Sequence, residues 1–230
     1  MTVELRRVMT CQLRRADHAI TQPVFKVGGC PVLFEEADWP VCDDCETEMD
    51  FVAQIPLQAP LPLARQYAMA YIFMCPSPSG CATWDAWSGC NRVLLQEKAD
   101  STTLGTRSEG SDFGAYPDYE ASLLVAEEPV VDTADFDTPS SLRDQVSDAT
   151  KIGGVPSWIQ SNETPTCPAC GGPVSFIAQL TADLEGSQSY DRSLEDRRVS
   201  LEFGDCGLGY IFICSDECCE EGAAFLWQCS

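Results

Sequence analysis

Apolar positions along this chain come in short runs, not in helical stripes. Phe51 to Leu57, Ala68 to Met74, Arg92 to Gln96, Ser122 to Ala126, Ser175 to Leu180, Val199 to Phe203, Gly209 to Ile213 and Ala224 to Gln228 are each five to seven residues long. They are rich in aliphatic and aromatic side chains and are separated by Gly, Pro and polar residues. Runs of that length and composition predict strands, and long helical periodicity is missing, so a mainly β fold with minor α is expected. The helical candidate, "SSLRDQVSDA", is short and would begin at Ser140 or Ser141.

The runs recur in the same order. At a constant offset of 125, Lys26, Gly28, Gly29, Pro31, Pro40, Cys42, Cys45, Phe51, Ala53 and Gln54 meet Lys151, Gly153, Gly154, Pro156, Pro165, Cys167, Cys170, Phe176, Ala178 and Gln179. "YIFMC", ending at Cys75, then meets "YIFIC", ending at Cys214, at an offset of 139, so the second copy carries 14 extra residues around "EGSQSYDRSLEDRR". Identity at one register over such a span marks an internal duplication. Two homologous β modules follow: residues 1–96 and 151–230. Residues 97–150 hold 13 acidic and 3 basic residues and read as an exposed acidic linker, with "YPDYEASLLVAEE" as a strand docked on one module.

Charge narrows the choice of partner. The 230 residues carry 36 acidic and 14 basic side chains, a formal net charge of -22, which opposes binding to nucleic acid and favours a basic protein. No run approaches the length of a membrane span, and the first residues hold no continuous apolar core of a signal peptide, so a soluble cytoplasmic protein is expected.

Fourteen cysteines in such a compartment point to metal ligation before disulfides. Zinc takes four tetrahedral sulfur ligands, and a Cys-x-x-Cys turn presents two of them on one side of the ion. The first site is read as Cys42, Cys45, Cys75 and Cys81, spaced C-x2-C-x29-C-x5-C. The second is Cys167, Cys170, Cys214 and Cys218, spaced C-x2-C-x43-C-x3-C. Cys90 competes with Cys81 for the fourth place, and Cys219 with Cys218. Gly171, after Cys170, can adopt positive φ freely, whereas Glu46 does so at a steric cost, so the second site is expected to be the better formed. Cys11, Cys30, Cys206 and Cys229 have no counterpart in the other copy and are expected to be packing residues.

Catalysis finds little support in the residue types. The one histidine, His18, lies outside both repeats, and a four-sulfur zinc keeps no open position for water. The acidic runs "EE" at 127 and "DECCEE" at 216 read as solvated faces. A redox role for "CPAC" would want a helix N-terminus after the motif, and here Gly-Gly-Pro leads into a strand.

The series Gly-Gly-x-Pro, Cys-x-x-Cys, apolar-x-Gln, aromatic strand ending in Cys, and "NRVLLQ" resembles the N-terminal domain of the programmed cell death protein 2 family. "YPDYEASLLVAEEP" resembles the segment that follows it there. "PSWIQSNETPTCPACGGPVSFIAQL" with "LEFGDCGLGYIFICSDECCEEGAAFLWQ" is similar to that family's C-terminal domain, and also to the YwqG-like bacterial proteins of unknown function. The resemblance implies a β-rich, zinc-binding, non-enzymatic protein that acts as chaperone to a basic small-subunit ribosomal protein. Two other classes compete: an immunity protein that neutralises a basic toxin, and a redox or metal-dependent enzyme.

Overall fold

A computed structural model of the chain describes residues 3–76, 80–107, 117–182, 184, 201 and 203–230. Most of the expected strand at Val199 to Phe203 and the polar insertion of the second copy lie outside the described residues.

Twelve strands are present among the described residues: β1 Leu5–Arg15, β2 Lys26–Val27, β3 Val32–Leu33, β4 Asp50–Pro56, β5 Met69–Met74, β6 Asn91–Gln96, β7 Thr103–Leu104, β8 Tyr119–Pro129, β9 Lys151–Gly153, β10 Val174–Thr181, β11 Leu208–Cys214 and β12 Ala223–Gln228. Ten of them form one sheet in the order β12-β11-β10-β9-β1-β8-β2-β4-β5-β6, and β3 pairs with β7. Every neighbouring pair in the sheet is antiparallel. Its end strands face each other: Asn91 Nδ2 donates to Phe225 O at 3.1 Å, and Trp227 Nε1 to Thr83 Oγ1 at 3.1 Å. The result is a nearly closed barrel built from two copies of a four-strand unit, β2-β4-β5-β6 and β9-β10-β11-β12.

The copies agree even in their irregularities. The β4–β5 register shifts between Phe51 and Ala53, and the β10–β11 register shifts at the equivalent Phe176 and Ala178. The extra residues, Val52 and Ile177, are buried in the shared barrel core with Ile55, Ile72, Ile152 and Ile211. On the outer faces Tyr71 and Phe73 pack with the first cysteine cluster, and Trp158 packs with Tyr210 and Phe212 in the second copy. Both faces of β5 and β11 are therefore covered, which is why these strands read as continuous apolar runs without alternation.

The copies meet through strands drawn from outside the repeat. β1 pairs with β9 of the second copy, β8 pairs with β2 of the first, and β1 and β8 pair with each other over eleven residues. The register sets Arg6 opposite Glu128, Arg7 opposite Glu127 and Arg14 opposite Glu120, with an ion pair between Arg14 and Glu120. Opposite charges facing one another favour that register over its slips. The strand expected in the acidic segment is thus longer than Ser122 to Ala126 and sits between the modules. β1 has no counterpart among the expected strands, because only Val8, Met9 and Cys11 of its eleven side chains are buried. The short helix α1, Ser140–Arg143, has Pro139 at its cap position and no side-chain cap bond, so neither serine caps it.

Candidate metal centres

Each Cys-x-x-Cys turn is closed by the same pair of backbone bonds. Glu46 N donates to Cys42 O at 2.9 Å and Cys42 N to Thr47 O at 2.9 Å; Gly171 N donates to Cys167 O at 2.8 Å and Cys167 N to Gly172 O at 2.9 Å. Isolated bridges Val41–Glu48 and Thr166–Pro173 brace both turns. Closing the turn forces the residue after the second cysteine into left-handed backbone, φ 56° at Glu46 and 68° at Gly171. The asymmetry expected from the sequence is present: a side chain occupies in the first copy what glycine occupies in the second.

The strands β5 and β11 end at the turns and deliver Cys75 and Cys214. The Sγ atoms of Cys42, Cys45, Cys75 and Cys81 lie within 4.8 Å of one another, as do those of Cys167, Cys170, Cys214 and Cys218. Individual separations are 3.5 Å for Cys45–Cys75, 3.5 Å for Cys167–Cys218 and 3.7 Å for Cys170–Cys214. Four sulfurs at about 2.3 Å around a tetrahedral ion stand about 3.8 Å apart, whereas a disulfide needs about 2.05 Å. All fourteen cysteines are free. Both tetrads therefore fit a four-coordinate metal ion.

The two competitors sit beside the tetrads. Cys90 groups with Cys81 and Asp44, and its Sγ donates to Asp44 Oδ2 at 3.2 Å; burial pushes its thiol up to about 12. Cys219 Sγ is 3.6 Å from Cys218 Sγ and belongs to no tetrad.

Hydrogen bonds to sulfur favour thiolate at the turns. The Thr47 hydroxyl and N–H hold Cys45 down, to about 6. At Cys167 burial acts upward but is outweighed by N–H groups of Cys170 and Ala169, which bring the thiol to about 7. Gly172, equivalent to Thr47, donates its N–H to Cys170 Sγ at 3.4 Å, which pulls that thiol down, but bonds to Cys167 and Cys214 outweigh it and hold Cys170 above its ordinary value. The sites differ in exposure: Cys42, Cys75 and Cys81 are buried, whereas Cys170 and Cys218 are exposed. Cys11 is buried in the core as expected, but Cys30 and Cys206 are exposed and pack little.

Side chains that recur in both copies tie the segments flanking the Gly-Gly pairs to the sheet. Gln54 Oε1 accepts from Val32 N at 2.8 Å while its Nε2 donates to Val24 O at 2.8 Å; Gln179 accepts from Ser157 N at 2.9 Å and donates to Ala149 O at 3.1 Å. Tyr71 Oη donates to Val32 O and Tyr210 Oη to Ser157 O, both at 2.8 Å. Gln96 and Gln228 accept from Phe34 N and Ile159 N at 2.8 and 3.2 Å.

Lys26 and Lys151 are identical between the copies, and nothing in the local sequence assigns them a role. Both are buried, on the face opposite their barrel-core neighbours Val27 and Ile152: Lys26 Nζ lies 2.6 Å from Asp118, and Lys151 Nζ 3.0 Å from Glu128. A Cβ at Gly29 would overlap the Asp118 carboxylate, and one at Gly154 the Glu128 carboxylate. The second glycine of each Gly-Gly pair thus makes room for the acid that neutralises the lysine. Glu128 is no solvated residue, contrary to the expectation for the "EE" run, while Glu127 and His18 are exposed.

Glu217, at φ 49° between Cys214 and Cys218, accepts from Arg65 N and Gln66 N at 2.8 Å each. Burial pushes this carboxyl up, but the N–H groups of Arg65 and Gln66 and the Arg65 guanidinium outweigh it and hold it low. The second cysteine loop is thereby docked on the first copy.

No family model matches the chain. Over 126 residues, 54% of this chain, it is 25% identical to a protein of Salmonella typhimurium named uncharacterized protein YpfL, and the match spans 25% of that protein's length. No helix among the described residues is long and apolar enough to cross a membrane.

Proposed function

We propose that the two tetrads hold structural zinc and that the barrel they staple is a non-enzymatic scaffold for binding a basic protein in the cytoplasm. The observation that carries the first part is the spacing of four sulfurs around each centre, all within 4.8 Å of one another. A closed thiolate set suits zinc or iron, leaves no place for a catalytic water, and contributes folding energy when filled. Protein purified without chelators is expected to be colourless and to hold about two zinc per chain by elemental analysis. Iron with a visible charge-transfer band, or less than one zinc, contradicts the assignment.

The partner follows from charge. A net charge of -22 on a chain of this size favours association with a basic protein and works against nucleic acid. Resemblance to the programmed cell death protein 2 family makes a basic small-subunit ribosomal protein the client to test, with this chain shielding it before assembly. Such a client, purified and diluted to low salt, is expected to stay soluble with an equimolar amount of this protein. Equal protection by an inert protein of the same net charge refutes the reading.

A further inference from the structure

Between the two cysteine turns lies a cleft of about 740 Å³ whose floor is β6. One wall carries Glu35, Glu36 and Asp43, the last lying inside the Cys42–Cys45 turn. The opposite wall carries Glu220 and Glu221, with Pro168 of the Cys167–Cys170 turn beside them, and Glu97 closes one end. Arg92 is the basic side chain in the lining, and it is engaged by Asp43 at 3.3 Å. Glu35, Glu36, Glu220 and Glu221 are exposed and make no ion pair among the described residues.

Carboxylates alone would only make a solvated face. A second feature is built into the floor: Asn91, 6% exposed, has a buried Oδ1 that meets no donor. Its orientation is fixed, because Nδ2 is held by the carbonyl oxygens of Thr83 and Phe225. A buried acceptor left without a donor is unfavourable, and a donor arriving in the cleft would relieve it. Trp87, 39% exposed in the same lining, offers a ring face on which a guanidinium or a lysine stem can lie.

We propose that this cleft receives an extended Lys/Arg-rich segment of the basic partner, running along β6 between the two metal-held turns. This rests on the basic-protein reading above and gives it a place. β6 is six residues long, so the cleft accommodates roughly 20 Å of extended chain, about six residues. The acidic walls on both sides select basic side chains, Asn91 Oδ1 takes a donor from the segment, and Trp87 covers one cation.

The test uses the zinc-loaded full chain, a fluorescein-labelled peptide of about eight residues alternating Arg and Thr, and a Glu-for-Arg control peptide, read by anisotropy at about 0.1 M salt. Reversal of either wall, Glu35→Lys with Glu36→Lys or Glu220→Lys with Glu221→Lys, is expected to weaken the Arg peptide about tenfold or more. Asp137→Lys with Asp144→Lys, an equal change in net charge at exposed positions outside the cleft, is expected to cost less than about threefold. Zinc content verifies that each variant is folded. If wild-type protein binds the basic client but the wall variants lose no more affinity than the control variant, the cleft is overturned and the client reading stands. If wild-type protein binds neither client nor peptide, both fall.

Discussion

Replacing Glu128 by alanine tests whether the barrel depends on its buried ion pair. Glu128 and Lys151 are 1% and 0% exposed, and the carboxylate accepts from Lys151 Nζ at 3.0 and 3.1 Å, Val155 N at 2.6 Å and Ser147 N at 3.2 Å. Removing it leaves one buried cation without its counter-ion and two N–H groups without this acceptor. Breaking a buried pair from one side costs about 3–5 kcal/mol, a large part of a total stability of about 5–15 kcal/mol. At an m-value of about 2.5 kcal/mol/M the urea midpoint should fall by about 1–2 M. The neighbouring Glu127→Ala, at an exposed position, should shift it by less than about 0.3 M.

The pH dependence supplies an independent reading of the same site. Burial holds the Lys151 ammonium below its ordinary value, against the pull of Glu128. A folded pKa below the unfolded one means that the unfolded chain binds more protons, so this group makes stability rise with pH until the unfolded lysine itself deprotonates near 10.4. Without Glu128 the depression deepens, so Glu128→Ala should recover stability between pH 7 and 10 more steeply than the parent. An E128A midpoint shift no larger than that of E127A, with parallel pH profiles, refutes the argument.

The remaining predictions concern the cysteine turns. Cys45→Ser and Cys170→Ser should each remove one metal equivalent by elemental analysis, whereas Cys90→Ser and Cys219→Ser should retain both, since the latter two lie outside the tetrads. Glu46→Gly should relieve the left-handed backbone of the first turn and raise the thermal midpoint, by up to about 1 kcal/mol in stability, whereas Gly171→Glu in the second turn should lower it.

The metal centres were legible because both their chemistry and their register are local. Cys-x-x-Cys turns repeat with their own late cysteine, and a strand of fixed length delivers it. Sequence alone left Cys81 against Cys90 and Cys218 against Cys219 open, since all four are in reach of a turn and only the path of the backbone decides which sulfur faces the centre. β1 was illegible for a different reason. Arg6, Arg7 and Arg14 stand opposite glutamates more than a hundred residues away, with Arg14 ion-paired to Glu120, so no local alternation of apolar and polar positions betrays a strand.

What the sequence by itself determined is the duplication, the β character of the repeated runs, and, in each copy, the Cys-x-x-Cys pair with its late cysteine. Each of these depends on residues within one copy and on backbone preferences that act over a few positions. Tertiary structure decided that the two copies share one barrel, that β1 and β8 cross between them, and that Lys26 and Lys151 are buried against Asp118 and Glu128. Charge pairing between strands and the neutralisation of a buried lysine are set by distance in space, and spacing along the chain carries no trace of it.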